Sequence, residues 1–224
     1  MNLLLATAQI VDSGRTWWSI VQDGGVIGWI IIALSVIAVA LAIVHLLQIR
    51  RGAMMPNELL ETLRSQLAAG DLASATASTR DQDNDSMLAR VVGAGLERQV
   101  GSPMGVFEVR TAMEDAGGEE VARHLRSLEG LSLVAAVAPL LGLLGTVLGM
   151  VGAFDTISDG GSSEYAQLAG NISMALVTTL LGLSLAIPCV AAHTWFRSRV
   201  ETIASEVAAI ADSMAGQIER TGGA

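Results

Sequence analysis

The chain has 224 residues, of which 51% are hydrophobic and 16% charged, with a mean hydropathy of +0.53. A soluble domain carries about 25% charged residues, so an ordinary soluble globule is excluded, and a net charge of −9 argues against a nucleic-acid binder, which needs a basic face. The lone cysteine, Cys189, excludes a disulfide scaffold, and His45, His124 and His193 are too scattered for a metal cluster, so neither a metal nor a cofactor is expected.

The N-terminus, Met-Asn-Leu-Leu-Leu-Ala-Thr-Ala-Gln, lacks the basic start and long apolar run of a signal peptide. Residues 1–25 read as an amphipathic segment on the outer surface of a membrane, with Trp17 and Trp18 at the interface that Trp favours. Residues 26–48 form an uncharged run of the length needed to cross a bilayer, about 20 apolar residues. Residues 49–130 are a helical region: Leu59, Leu60, Leu63 and Leu67 recur at helical spacing, Gly70-Asp71 breaks that helix, and 81–85 is a polar turn. A further helix covers 87–100, Gly101-Ser102-Pro103 punctuates it, and a helical pattern from Met104 runs on with Gly117-Gly118 weakening its middle.

Residues 131–154 and 167–196 read as a second and a third span, joined by a short link over 155–166, and 197–224 as a C-terminal helix. Soluble core helices are shorter and keep a polar face, so three such runs identify an all-α membrane protein. Its helical bundle would extend the membrane helices. Arg placement sets orientation. Arg50 and Arg51 follow the first span, Arg123 and Arg126 precede the second, and Arg197 and Arg199 follow the third, whereas the link carries Asp155, Asp159 and Glu164 and no Arg. The N-terminus and the link are therefore expected outside the cytoplasm, and the 49–130 region and the C-terminus inside, in a multi-pass membrane protein.

At 100° per residue, Ala135, Pro139, Gly142, Gly145, Thr146, Gly149 and Ala153 gather on one side of the second span. Asn171, Ala175, Thr178, Gly182, Ala186 and Cys189 share a face of the third, with Thr179 at its edge and Pro188 near its inner end. Small residues let membrane helices approach closely, so Gly142, Gly145, Gly149 and Gly182 read as helix-packing positions, and Pro139 and Pro188 as places where a missing donor bends a helix. Thr146, Thr178 and Thr179 place hydroxyls at membrane depth. Such groups either back-bond to the preceding turn or line a polar passage. A hydroxyl can order a water chain but cannot hold a proton near neutral pH, and the second and third spans hold no Asp, Glu, Lys or Arg. If the chain conducts, a partner must bring the carboxylate. An intramembrane protease does not fit: Ser184 and His193 are nine residues apart on one helix, about 13 Å of rise. No enzyme is expected.

These residues carry a resemblance. Ala138-Pro139-Leu140-Leu141-Gly142-Leu143-Leu144-Gly145-Thr146-Val147 and Ala175-Leu176-Val177-Thr178-Thr179-Leu180-Leu181-Gly182-Leu183, followed by Ala186-Ile187-Pro188, resemble the proton-channel family that includes ExbB, TolQ and MotA, and the order of spans agrees over nearly the whole chain. The resemblance implies a homo-oligomeric ring, typically of five subunits, around a dimer of a single-span partner like ExbD or TolR, whose membrane Asp takes up and releases protons. It implies pore-facing roles for Thr146 and Thr179, and it places Thr194, at a polar pore end, where ExbB and TolQ often have Asn. It also points to a TonB- or TolA-like protein as a further partner, with membrane lipids around the ring. Many relatives have Glu at the place of Met174. The function implied is a motor subunit that uses the proton gradient to energise outer-membrane transport or envelope maintenance; the alternatives are a MotA-like flagellar or gliding stator and a non-conducting scaffold. The short inner region, without the charged torque-generating pattern of flagellar stators, favours the ExbB/TolQ side.

Overall fold

The computed structural model describes residues 22–81, 84–101, 106–158 and 164–222. Among them lie eight helices and no strand: α1 (Gly25–Gln48), α2 (Arg51–Met54), α3 (Asn57–Ala68), α4 (Leu72–Arg80), α5 (Met87–Gly101), α6 (Val106–Ser127), α7 (Glu129–Ser158) and α8 (Glu164–Gly222). Three helical stretches, in α1, α7 and α8, are long and apolar enough to cross a membrane. The protein is an all-α membrane protein. The expected N-terminal amphipathic segment over 1–21, the tip of the link at 159–163 and part of the Gly101-Ser102-Pro103 break lie outside the described residues.

The chain divides into two compact units, one built from residues up to Ala42 together with Gly130–His193, the other from Ile43–Glu129 together with Thr194–Ala224. The first holds most of the apolar helices. Its helices leave large side chains uncovered, among them Val36, Ile37 and Val39 on α1, Leu140 and Val151 on α7, and Leu176 and Ile187 on α8. In water such a surface would be prohibitive; in lipid it is the solvent-facing side of the protein.

The second unit has an ordinary apolar core. On α3, Leu59, Leu60, Leu63 and Leu67 are buried along one stripe, as their spacing predicts. Asp71 caps α4: its carboxylate accepts from the Ser74 backbone N–H at 2.9 Å and from the Ser74 hydroxyl at 2.6 Å, which holds its carboxyl below the usual carboxylate range, with the Ser74 side chain the larger cause. Gly70, at φ +77°, supplies the left-handed turn that ends α3. Met87, Leu88, Val91, Val92 and Leu96 of α5 meet Val109 and Met113 of α6 in the core. α6 runs unbroken through Gly117-Gly118. Glycine in a helix costs only about 1 kcal/mol, too little to break a helix this well packed. α8 is a single helix of 59 residues that carries the third apolar stretch on into the C-terminal segment without interruption.

A buried ionic cluster ties α5 to α6. Glu120, only 6% exposed, faces Arg90 at 2.9 Å and Arg123 at 2.6 Å, and Arg90 also pairs with Asp85. His45 is buried edge-on to Phe196, with ring centroids 5.9 Å apart.

Candidate functional site: the glycine seam and its threonines

The seam between α7 and α8 is made by residues with little or no side chain. A Cβ added to Gly142 would lie 3.0 Å from the Thr178 carbonyl oxygen and 3.1 Å from the Thr179 Cα; one added to Gly149 would lie 2.6 Å from the Asn171 carbonyl oxygen; one added to Gly182 would lie 2.6 Å from the Ala138 carbonyl oxygen and 3.2 Å from the Gly142 Cα. Backbone thus rests on backbone at Gly142, Gly149 and Gly182. The register runs in opposite directions on the two helices, Ala138 and Gly142 against Gly182, Gly149 against Asn171, so α7 and α8 form an antiparallel hairpin. Van der Waals approach of this kind, rather than hydrophobic burial, holds helices together in lipid.

The buried stripe of α7 comprises Leu131, Val134, Ala135, Ala138, Gly142, Gly145, Gly149, Ala153 and Thr156. It therefore includes Ala138 in place of Pro139, and Thr146 stands at its border. On α8, Ala175, Thr178, Gly182, Ala186 and Cys189 are buried. Both helices continue through their prolines, Pro139 and Pro188; Pro139 is half-buried and Pro188 exposed.

The three threonines separate into two kinds. Thr178 has no exposed surface. Its side chain occupies the space in front of Gly145, where an added Cβ would collide with it, and its hydroxyl donates back to the Met174 and Ala175 carbonyls at 3.0 Å. Its position is that of a packing residue, which differs from the grouping with Thr146 and Thr179 expected from the sequence. Thr146 and Thr179 are only partly buried. The Thr146 hydroxyl donates to the Leu143 carbonyl at 2.6 Å; that of Thr179 lies 3.3 Å from both the Ala175 and the Gly142 carbonyls, the latter on the other helix.

Helical geometry places these two together. Thr146 is rotated about 70° from the seam axis of α7, and Thr179 about 70° in the same sense from that of α8. On antiparallel helices equal rotations lead to the same side, so both hydroxyls emerge on one flank of the hairpin. Their exposed neighbours there, by the same angular reckoning, are Leu143, Met150, Leu176 and Leu183. α1 packs on the other flank: a Cβ on Gly25, which sits at φ +57°, would be 3.3 Å from the Met174 sulfur. The Met174 thioether thus rests on the start of α1. Thr194 lies in the second unit and is exposed.

Two polar residues the sequence reading did not pair also meet. The Asn171 amide Nδ2 donates to the Thr156 hydroxyl at 3.2 Å, and Thr156 donates to the Gly152 carbonyl at 2.8 Å. Asn171 had been placed on the packing face, but nothing in a one-helix pattern shows which residue of the other helix it reaches. Among the described residues no cluster of His, Cys, Asp or Glu could hold a metal.

Three apolar spans and a glycine-locked hairpin with two partly open hydroxyls on one flank define a membrane subunit built on close helix packing. The chain matches the family model of the MotA/TolQ/ExbB proton channel family over residues 83–209, more than half its length, and it belongs to that family. An ExbB-like protein of Synechocystis sp. is 31% identical over 182 residues, 78% of this chain and 82% of that protein. The Tol-Pal system protein TolQ of Pseudomonas aeruginosa is 26% identical over 221 residues, 94% of this chain and 95% of TolQ. The biopolymer transport protein ExbB of Xanthomonas campestris pv. campestris is 39% identical over 88 residues, which is 39% of this chain and 35% of that protein. Among the members, similarity is greatest on the ExbB/TolQ side.

Proposed function

We propose that this chain is the ring-forming subunit of a proton-driven motor in the bacterial inner membrane, working with a single-span partner of the ExbD/TolR kind to energise outer-membrane transport or envelope maintenance. Copies of the chain, five by family resemblance, surround the partner with their Thr146/Thr179 flanks turned inward. The N-terminus and the 155–166 link face the periplasm and the C-terminus the cytoplasm, as the Arg distribution requires. Thr194 marks the cytoplasmic end of the route. A TonB- or TolA-like protein passes the motion on.

The observation that carries this reading is the pair of partly exposed hydroxyls, Thr146 and Thr179, on the flank of the α7–α8 hairpin away from α1. Each hydroxyl satisfies itself by donating to a carbonyl of its own helix and keeps its oxygen lone pairs for water. Two such groups can order water but hold no charge, and spans two and three contain no Asp, Glu, Lys or Arg. The protonated station is therefore the partner's Asp, and the chain supplies a hydrated wall along which that Asp exchanges protons. The driving force is about 2.3 kcal/mol per charge per 100 mV. Thr178, fully enclosed, takes no part in the route.

The test is Thr146→Ala, Thr179→Ala and the double variant, each checked for membrane abundance and then for gradient-dependent transport and envelope integrity in a deletion strain. Both singles are expected to reduce function at normal abundance, and the double to abolish it. Full function in the double variant would refute a hydrated route along this flank and leave the scaffold reading. Loss of motility with transport and envelope intact would identify a stator.

A further inference from the structure

The Asn171–Thr156 pair has no role in the route just described, yet both residues are built into the seam. Thr156 is only 6% exposed. Its hydroxyl donates to the Gly152 carbonyl at 2.8 Å and accepts from Asn171 at 3.2 Å. Gly152 makes room for this: a Cβ there would come within 3.2 Å of the Asn171 amide nitrogen. Beside it, the Asn171 carbonyl oxygen rests against Gly149. In hydrocarbon a polar side chain must find its partner within the protein, and these two find each other across the helix pair.

The hairpin is thus fixed at both ends. Near Pro139 and Pro188, Gly182 lies on the Ala138 carbonyl and Gly142 on the Thr179 backbone; near the link, the amide–hydroxyl clasp closes over Gly152; between them Thr178 fills the space before Gly145. Sliding one helix past the other by a single residue, about 1.5 Å, would drive side chains into backbone at several of these points at once. Packed interfaces of this density do not deform continuously.

We infer that Asn171 and Thr156 are positioning residues that hold α7 and α8 as one rigid hairpin throughout the working cycle, keeping Thr146 and Thr179 on a common flank, so that the motion of the motor lies outside this helix pair. The inference rests on the proton-route reading for what the hairpin is rigid for. Its mechanical content stands apart from that reading.

The experiment uses the full chain with its natural partner. In a Cys189→Ala background, Thr156→Cys and Asn171→Cys are combined and bridged by oxidation or by a short bifunctional maleimide. The bridged complex is expected to keep gradient-driven function within about twofold of the unbridged one. Loss of function on bridging that reductant restores would overturn rigidity, and failure of both reagents to bridge the pair would overturn the juxtaposition. In parallel, Asn171→Val and Thr156→Val are each expected to lower proton flux about threefold at unchanged abundance, equivalent to about 0.6 kcal/mol, the usual worth of an interhelical hydrogen bond in a membrane. The double Val variant should fall no further than either single, and Thr156→Ser should retain full flux. Unchanged flux in Asn171→Val would refute the positioning role. If bridging is tolerated while Thr146→Ala and Thr179→Ala leave function intact, the proton-route reading fails and the rigid hairpin survives.

Discussion

Replacing Gly182 by Ala and Gly118 by Ala is the same chemical change in the middle of two helices, and the structure predicts opposite outcomes. At Gly182 the new Cβ would sit 2.6 Å from the Ala138 carbonyl oxygen, 3.2 Å from the Gly142 Cα and 3.3 Å from the Gly142 nitrogen. All three are backbone atoms of the opposite helix, so no side chain can turn away. Reaching an ordinary contact of 3.4 Å requires the helices to part by about 0.8 Å. A gap of 0.5–1 Å forfeits about a quarter to a half of each dispersion contact nearby, and overpacking of a dense interface costs about 1–3 kcal/mol. The Thr179–Gly142 hydrogen bond across the seam is strained as well. A net loss of about 2 kcal/mol follows. At Gly118 nothing lies within 4 Å of the added atom, and the gain is the helix propensity of alanine over glycine, about 1 kcal/mol. Thermal unfolding of the purified chain in detergent, followed by helical circular dichroism, should show the Gly182→Ala midpoint lowered by about 4–8 °C and the Gly118→Ala midpoint raised by about 2–4 °C, on the usual scaling for chains of this size. A Gly182→Ala protein as stable as wild type would mean that α7 and α8 do not touch through backbone, and the description of the seam would fall with it.

The Gly145→Ala substitution is expected to destabilise because its Cβ meets the Thr178 side chain, and adding Thr178→Ala should recover at least half of the lost midpoint by vacating that space; a double variant no more stable than Gly145→Ala would place Thr178 elsewhere. Burial holds the His124 imidazole below its ordinary value, with Glu120 opposing and Arg123 and Arg90 adding to the effect. The unfolded chain therefore binds more protons as pH falls through about 6.5, and stability present above that pH is lost below it, by at most about 1.4 kcal/mol per pH unit for one proton. Midpoints measured from pH 7.5 to 5.5 should fall less steeply in His124→Gln than in wild type; equal slopes would reject this. Glu120→Gln leaves Arg90 and Arg123 facing a neutral amide and should cost about 2 kcal/mol, below the 3–5 kcal/mol of a fully buried pair because both arginines remain partly in solvent. Guanidinium-free chemical denaturation, with urea as denaturant, checks it, and an unchanged midpoint would show the cluster to be a solvated surface network.

How much of this was legible in the residues depends on the range of the interaction involved. The three apolar stretches, the stripe of α3 and the small-residue faces of α7 and α8 follow from periodicity along a single helix, because whether a segment prefers lipid or water is a sum over its own side chains. The resemblance to the ExbB, TolQ and MotA family was equally readable, since its motifs are contiguous. The division of the threonines was legible only in part: the helical repeat puts Thr178 on the small-residue face and Thr179 at its edge. Thr178 and Thr179 are adjacent in sequence and equal in chemistry. Only the angle at which α7 meets α8 decides that one is sealed against Gly145 and the other stands on the open flank with Thr146. The partnership of Asn171 with Thr156 and the contact of Met174 with Gly25 have the same origin, for each joins two helices. The sequence alone determined that this chain lives in a membrane and which faces of its helices are small enough to touch; the tertiary structure alone decided which hydroxyls remain open, because register and rotation between helices are properties of the packed pair and not of either strand of residues.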